Sequence, residues 1–143
     1  MALTRYLDTS LVAALFVIDD AFTERASRFV AADTAGLIVS DFGPAEFASV
    51  IARLARSARL TRETAANLFA AFDTWSARAT QLVEATPVDV ACAAGFIRRL
   101  DLNLRTPDAL HIAIAYRLGA TLATFDARMA ASAAVLGVAV ATP

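Results

Sequence analysis

Four carboxylates in this chain stand where a phosphoryl-transfer site would need them. Asp8 follows the run Thr4 to Leu7, and Asp126 lies two residues beyond the run Thr121 to Thr124. Glu46 lies in the first turn or so of the helix after Leu37-Ile38-Val39, and Asp108 falls in the first turn of a helix opening at Thr106-Pro107. Any one of them is explained well enough as a helix-terminal charge, which the macrodipole favours by about 0.3–1 kcal/mol. Gathered in one pocket they repel one another, and they are stable together only with a divalent cation or with protons bound. A cation held there would activate water and neutralise phosphate oxygens, and a pair of cations would clamp both the attacking and the leaving oxygen. The chemistry in view is metal-assisted phosphodiester hydrolysis.

The rest of the composition narrows the choice. All 13 basic residues are arginine, so a Schiff-base lysine and a Walker-A phosphate loop are both excluded. His111 is the only histidine and Cys92 the only cysteine. Sites built on several imidazoles or thiolates are therefore excluded, as is an intrachain disulfide, and a bound metal must be a hard, oxygen-liganded cation. Cys92 itself reads as a small buried apolar residue. The 143 residues fit one domain, 1–143. A hydrophobic fraction of 58%, against about 45–50% in ordinary soluble domains, excludes a disordered chain. The longest uncharged stretch, Met129 to Pro143, has 15 residues, short of the about 20 that span a bilayer. Asp8 precedes the apolar run Leu11 to Ile18, and Asp19-Asp20 follows it where a cleavage site would lie. That is a poor signal peptide, so the expected location is the cytoplasm. The net charge of −1 argues against nucleic-acid binding, an objection weakened if the acidic quartet is neutralised by metal.

The elements that must position the carboxylates alternate in type. Strands are predicted at Thr4–Leu7, Leu37–Val39, Gln81–Ala85, Thr121–Thr124 and Val138–Ala141. Helices are predicted at Thr9–Ile18, Phe22–Ala32, Phe42–Ser57, Arg62–Arg78, Pro87–Leu100, Pro107–Leu118 and Ala127–Leu136. Ser40 and Asp41 are the expected caps of the third helix and Thr106 of the sixth. Pro107–Leu118 is apolar nearly all round and is expected to be buried. Phe69, Phe72 and Trp75 read mainly as core. Alternation of this kind implies an α/β fold with a parallel sheet covered on both faces, and ligands bind beyond the carboxyl ends of such strands. All four carboxylates project from that edge.

Several longer motifs carry a resemblance. They are Tyr6-Leu7-Asp8-Thr9-Ser10, Ser40-Asp41-Phe42-Gly43-Pro44-Ala45-Glu46, Arg105-Thr106-Pro107-Asp108-Ala109-Leu110-His111-Ile112-Ala113-Ile114-Ala115, Leu122-Ala123-Thr124-Phe125-Asp126, and the Ala133-Ala134-Val135-Leu136-Gly137-Val138 ending. In this order and spacing the chain resembles the PIN-domain ribonucleases, most closely the VapC-type toxins of bacterial toxin–antitoxin pairs. The resemblance spans nearly the whole chain. It implies a three-layer fold with a parallel five-stranded sheet in the order 3-2-1-4-5. It implies Mg²⁺- or Mn²⁺-dependent cleavage of single-stranded RNA, a small antitoxin partner, and a homodimer that forms a heterotetramer or larger assembly with the antitoxin. By position Asp8, Glu46, Asp108 and Asp126 match the acidic quartet, with Asp8, Asp108 and Asp126 on the metal and Glu46 on the metal or the attacking water. Ser10 and Thr124 match its polar companions. Gly43-Pro44 is the local departure, at the start of the helix that carries Glu46.

Around the quartet, His111 lies one helical turn from Asp108 and is expected to orient a carboxylate, touch substrate, or simply bond to backbone. Arg105 and Arg128 flank the acidic residues as substrate contacts or as ion-pair partners. Arg53, Arg56, Arg59 and Arg62 form a drifting basic stripe with no assigned role. Two rivals remain open. One is a catalytically silent PIN-fold docking module. The other is a receiver-like or dehalogenase-like phosphoryl-transfer domain, disfavoured by the missing lysine and by Ser10 standing where a second aspartate would.

Overall fold

Each strand is a run of two to four residues between a loop and a helix cap, too short to carry a site but well suited to end abruptly at one. The computed structural model describes residues 4–18 and 20–143. Strands β1 (Arg5–Leu7), β2 (Leu37–Ser40), β3 (Gln81–Val83), β4 (Thr121–Ala123) and β5 (Val140–Ala141) form one sheet in the order β3-β2-β1-β4-β5. Every pairing is parallel. The helices are α1 (Thr9–Phe16), α2 (Asp20–Ala31), α3 (Phe42–Arg56), α4 (Arg62–Ala79), α5 (Pro87–Arg98), α6 (Thr106–Leu118) and α7 (Ala127–Val135), with a 3-10 turn at Leu100–Leu102. The expected three-layer α/β fold and strand order are thus present. Among the described residues no helix is long and apolar enough to cross a membrane.

Two cores follow from the period-two alternation of the strands. Leu7 and Val39 face one side and pack with Leu11, Phe47, Ile51 and Phe72 from α1, α3 and α4. Tyr6 and Ile38 face the other and pack with Ile112, Ile114, Leu122, Met129 and Ala133 around α6 and α7. Phe72 stacks on Phe47, centroids 4.5 Å apart, while Phe16 meets Phe47, Phe72 and Trp75 edge-on. The central turns of α6 are buried from Ala109 through Ala115 apart from half-buried Leu110, as expected of a helix apolar on every side. Cys92 is half-buried rather than fully so: it lies at the edge of the α5–α6 contact, against Ala93, Ala109 and Ala113.

Caps depart from expectation in an instructive way. Asp8, not a residue of α1 itself, caps that helix, its Oδ1 accepting from the Leu11 amide at 3.1 Å. Asp126 caps α7, with Oδ1 accepting from the amides of Arg128 (2.9 Å) and Met129 (3.0 Å). Ser40 and Asp41 do not cap α3 through their side chains. The Ser40 hydroxyl meets Tyr6, and Asp41 Oδ1 accepts from the Ala85 amide at 2.9 Å, tying β2 to the segment after β3. Tertiary partners outbid the local cap at both residues. Thr106 is the first residue of α6, and Arg105 occupies its cap position without a side-chain bond.

Gly43 accounts for the departure noted in the third helix. A Cβ built there would lie 2.8 Å from Val39 Cγ1, and Val39 is buried and branched, with little room to move. Gly43→Ala gains about 1 kcal/mol of helix propensity but forces overpacking that costs about 1–3 kcal/mol. The expected net result is a loss of about 1 kcal/mol in thermal or denaturant unfolding; a more stable variant would show that α3 can lift off β2 freely.

Candidate active site

The strand ends and helix starts converge on one open cavity of about 820 Å³ at the carboxyl edge of the sheet. Asp8 reaches it from the end of β1, Glu46 from the second turn of α3, Asp108 from the first turn of α6, and Asp126 from the cap of α7. His111 and Arg105 line it as well, and so do Ser10 and Arg53. Glu46, Val50 and Arg53 are spaced by four and three along α3, so they share its cavity-facing side.

Asp8 is the innermost carboxylate, 1% exposed. Thr124 donates to its Oδ2 at 2.5 Å, and Ser10 donates across both oxygens at 2.8 and 2.9 Å. Burial pushes its pKa up, against the pull of Thr124, the nearby His111, and the Leu11 and Ser10 bonds. Glu46 contrasts with it. Burial raises it too, but hydrogen bonding and charge from His111, with a 2.6 Å bond from Thr9 Oγ1, outweigh that and hold it below the ordinary glutamate value. Two carboxylates lining one cavity are thereby pushed in opposite directions by their surroundings.

His111 connects two layers of the fold. Nε2 bonds to Glu46 Oε1, while Nδ1 lies 2.6 Å from the Tyr6 hydroxyl, itself 3.1 Å from Ser40 Oγ. The Tyr6 hydroxyl donates its one proton to Ser40 Oγ, so its oxygen accepts at His111 Nδ1. The Phe42 ring, 5.3 Å away, packs on the same imidazole. His111 is 2% exposed, so of its expected roles the structure favours orienting a carboxylate over touching substrate.

The sequence matches the PIN domain family over residues 5–135. The chain belongs to the PIN-domain family. No match was found among curated protein sequences. Solved PIN-fold structures similar to it include the sarcin–ricin-loop-cleaving toxin VapC20 of Mycobacterium tuberculosis, at 23% identity and TM-score 0.72, covering 90% of this chain and 94% of that one. FitAcB from Neisseria gonorrhoeae is 18% identical with TM-score 0.73, covering 95% of each. VapBC2 from Rickettsia felis, bound to a DNA fragment from its promoter, is 12% identical with TM-score 0.69, covering 99% of each. At these identities the likeness is one of fold.

The remaining polar groups of this PIN domain serve the carboxylates. Thr124 accepts from the Asp126 amide at 2.9 Å while donating to Asp8, so one buried hydroxyl joins the ends of β1 and β4. Ser10 accepts from the Phe125 amide at 3.2 Å. Arg105, largely exposed, has Nε 3.5 Å from Asp108 Oδ2. A small recess beside Asp108 and Asp126 is lined by Arg105 and Arg128, and Arg53 lines the main cavity together with Arg105. Tyr6, Thr9 and Ser40 escaped sequence reasoning. Tyr6 had one available signal: two residues before Asp8 on a strand, it must share Asp8's face. Thr9 had none, since it meets Glu46 only through the packing of α3 beside the start of α1; Ser40 meets Tyr6 because β2 pairs with β1 in the register Tyr6↔Ile38.

Among the described residues no three histidine, cysteine or acidic side chains are drawn together as a ready-made metal cage. The donors suit a hard cation all the same. They are oxygens only, and Mg²⁺ keeps several waters and is held by one or two carboxylates plus substrate phosphate rather than by an all-protein cage. Asp8, Asp108 and Asp126 bring such carboxylate oxygens to the cavity wall.

Proposed function

We propose that the chain is a divalent-cation-dependent endoribonuclease, the VapC-type toxin of a toxin–antitoxin pair. The observation that carries this reading is the convergence of Asp8, Glu46, Asp108 and Asp126 on one open cavity in a PIN domain, with arginines at its rim. Asp8, Asp108 and Asp126 would hold Mg²⁺ or Mn²⁺. When bound, the cation supplies charge neutralisation at the phosphate oxygens and lowers the pKa of water. Glu46, kept ionised by His111 and Thr9, accepts the proton of the attacking water. Ser10 and Thr124 lock the Asp8 carboxylate in place. Arg105 and Arg128 bind the flanking phosphates as the chain of RNA crosses the cavity. Attack breaks the bond to the 3′ oxygen and leaves a 5′-phosphate and a 3′-hydroxyl.

The VapBC and FitAB assemblies among the similar folds support a small cognate antitoxin as protein partner; in this reading a homodimer is the unit that binds it. A cytoplasmic location follows from an RNA substrate and such a partner. The reading is tested by incubating the purified protein with varied single-stranded and structured RNAs in Mn²⁺, Mg²⁺ or EDTA. Cleavage is expected in either metal, none in EDTA, and none from Asp108→Asn. Metal-independent cleavage would overturn the cation dependence, and no cleavage of any RNA would leave the fold as a docking module.

A further inference from the structure

A second, apolar groove of about 480 Å³ opens directly beside the acidic cavity. Val17, Phe22, Leu54 and Phe125 line it, and Arg53 and Asp126 belong to both spaces. Phe22 and Phe125 meet edge to face, centroids 5.0 Å apart at 73°. Phe22 is 42% exposed, a large aromatic surface left in water at the mouth of a polar site. Arg25 lies over both rings, 5.5 and 5.1 Å from their centroids. The groove is also held in register with the acidic centre: Phe125 directly precedes Asp126, and its amide donates to the same Ser10 hydroxyl that binds Asp8.

An exposed Phe22 braced by the partly buried Phe125, and a cationic side chain shared with the acidic cavity, match one ligand chemistry. Unpaired nucleobases are recognised by stacking on aromatic faces, while arginines follow the backbone phosphates. We propose that the groove is a nucleobase subsite: an unpaired base next to the scissile phosphate stacks on Phe22, which Phe125 braces edge-on, and Arg53 holds the phosphate that links it to the acidic centre. The inference rests on the nuclease reading and adds a preference for unpaired over paired RNA next to the cut.

The test compares wild type, Phe22→Ala, Phe22→Trp and Arg53→Gln in Mn²⁺ on a short single-stranded RNA. Each is also run on the same RNA with an abasic residue at each position flanking the cut. Binding of the fluorescein-labelled intact RNA is read separately by anisotropy in the Asp108→Asn background. Phe22→Ala is expected to raise KM about tenfold with kcat within about twofold, and to lose affinity by the same factor. Phe22→Trp restores both, and wild type and Phe22→Ala become equal on the abasic RNA. Arg53→Gln flattens the salt dependence of binding. Unchanged KM and affinity in Phe22→Ala overturn the subsite. So does a loss that persists on abasic RNA, or normal RNA handling with lost binding of a protein partner, which would make the groove a protein-docking face. If wild type binds RNA without cutting it, the nuclease reading fails and the anisotropy series alone decides the subsite; if it neither binds nor cuts, both fall.

Discussion

Asp8→Asn is expected to lower kcat/KM for RNA cleavage by on the order of 10³-fold while leaving the fold as stable as the parent. In the proposed reading Asp8 would help to hold the cation, which would contribute several kcal/mol of charge stabilisation, and each 1.36 kcal/mol is a factor of ten in rate. Stability runs the other way. Asp8 is buried, and burial pushes its pKa up, so keeping it ionised costs the apo protein free energy. An asparagine removes that cost. Its carbonyl oxygen can still cap α1 at Leu11 and accept from Ser10, where Asp8 Oδ1 now does both. Its amide would meet Thr124, which must then give up its role as donor at that position. The two effects nearly cancel, within about 1 kcal/mol. Single-turnover cleavage at saturating Mn²⁺ and thermal unfolding without metal measure the two halves. Cleavage within tenfold of wild type would remove Asp8 from the chemistry, and a collapse in Tm would make it a structural residue.

Arg117→Ala is expected to be the most damaging substitution away from the cavity, at about 2–3 kcal/mol, or roughly 6–10 °C in Tm. Asp89 is 1% exposed and accepts from Arg117 Nε at 2.7 Å and Nη2 at 2.9 Å. It also completes the box that starts α5, accepting from the Thr86 amide at 2.8 Å while Thr86 Oγ1 accepts from the Asp89 amide. Arg117 extends the tie by donating to the Glu84 carbonyl at 3.0 Å, so one guanidinium pins the end of α6 to the start of α5. Because the Arg117 side chain is 34% exposed, the lower end of the range for buried pairs applies. Burial pushes the Asp89 carboxyl up, but the Arg117 bonds and the two from Thr86 outweigh it and hold it below its ordinary value. A depressed carboxylate stabilises the fold above its unfolded pKa, and the contribution is lost as pH falls through the folded one. In Arg117→Ala the same group is a buried charge without its partner, relieved by protonation. The Tm gap between parent and variant is therefore widest near neutral pH and narrows below about pH 4. Adding Asp89→Asn should recover part of the loss at neutral pH. A gap independent of pH would show that packing, not charge, makes the link.

The site was legible at the level of residue types and edges. Asp8 and Asp126 stand at the ends of apolar runs, and a parallel sheet brings strand ends to one edge whatever the details of packing. The neighbours of these residues were less legible. Ser40 and Asp41 looked like caps because a polar pair before a helix usually is one, yet both bond across the fold, to Tyr6 and Ala85. Glu46 is the clearest case. Its place on α3 followed from helical period, but its depressed pKa depends on His111, 65 residues away on another helix.

Sequence alone determined the α/β class, the parallel sheet and the chemistry left to a chain with no lysine, one histidine and one cysteine. These follow from local periodicity and from the inventory of side chains, neither of which needs long-range contacts. The tertiary structure decided which carboxylate is buried and which is kept ionised, and that Tyr6 reaches Glu46 through His111. It also decided that Phe22 and Phe125, 103 positions apart, share a groove with Arg53. Desolvation and hydrogen-bond partnership depend on which helices cover which strand ends, and no local pattern encodes that distance.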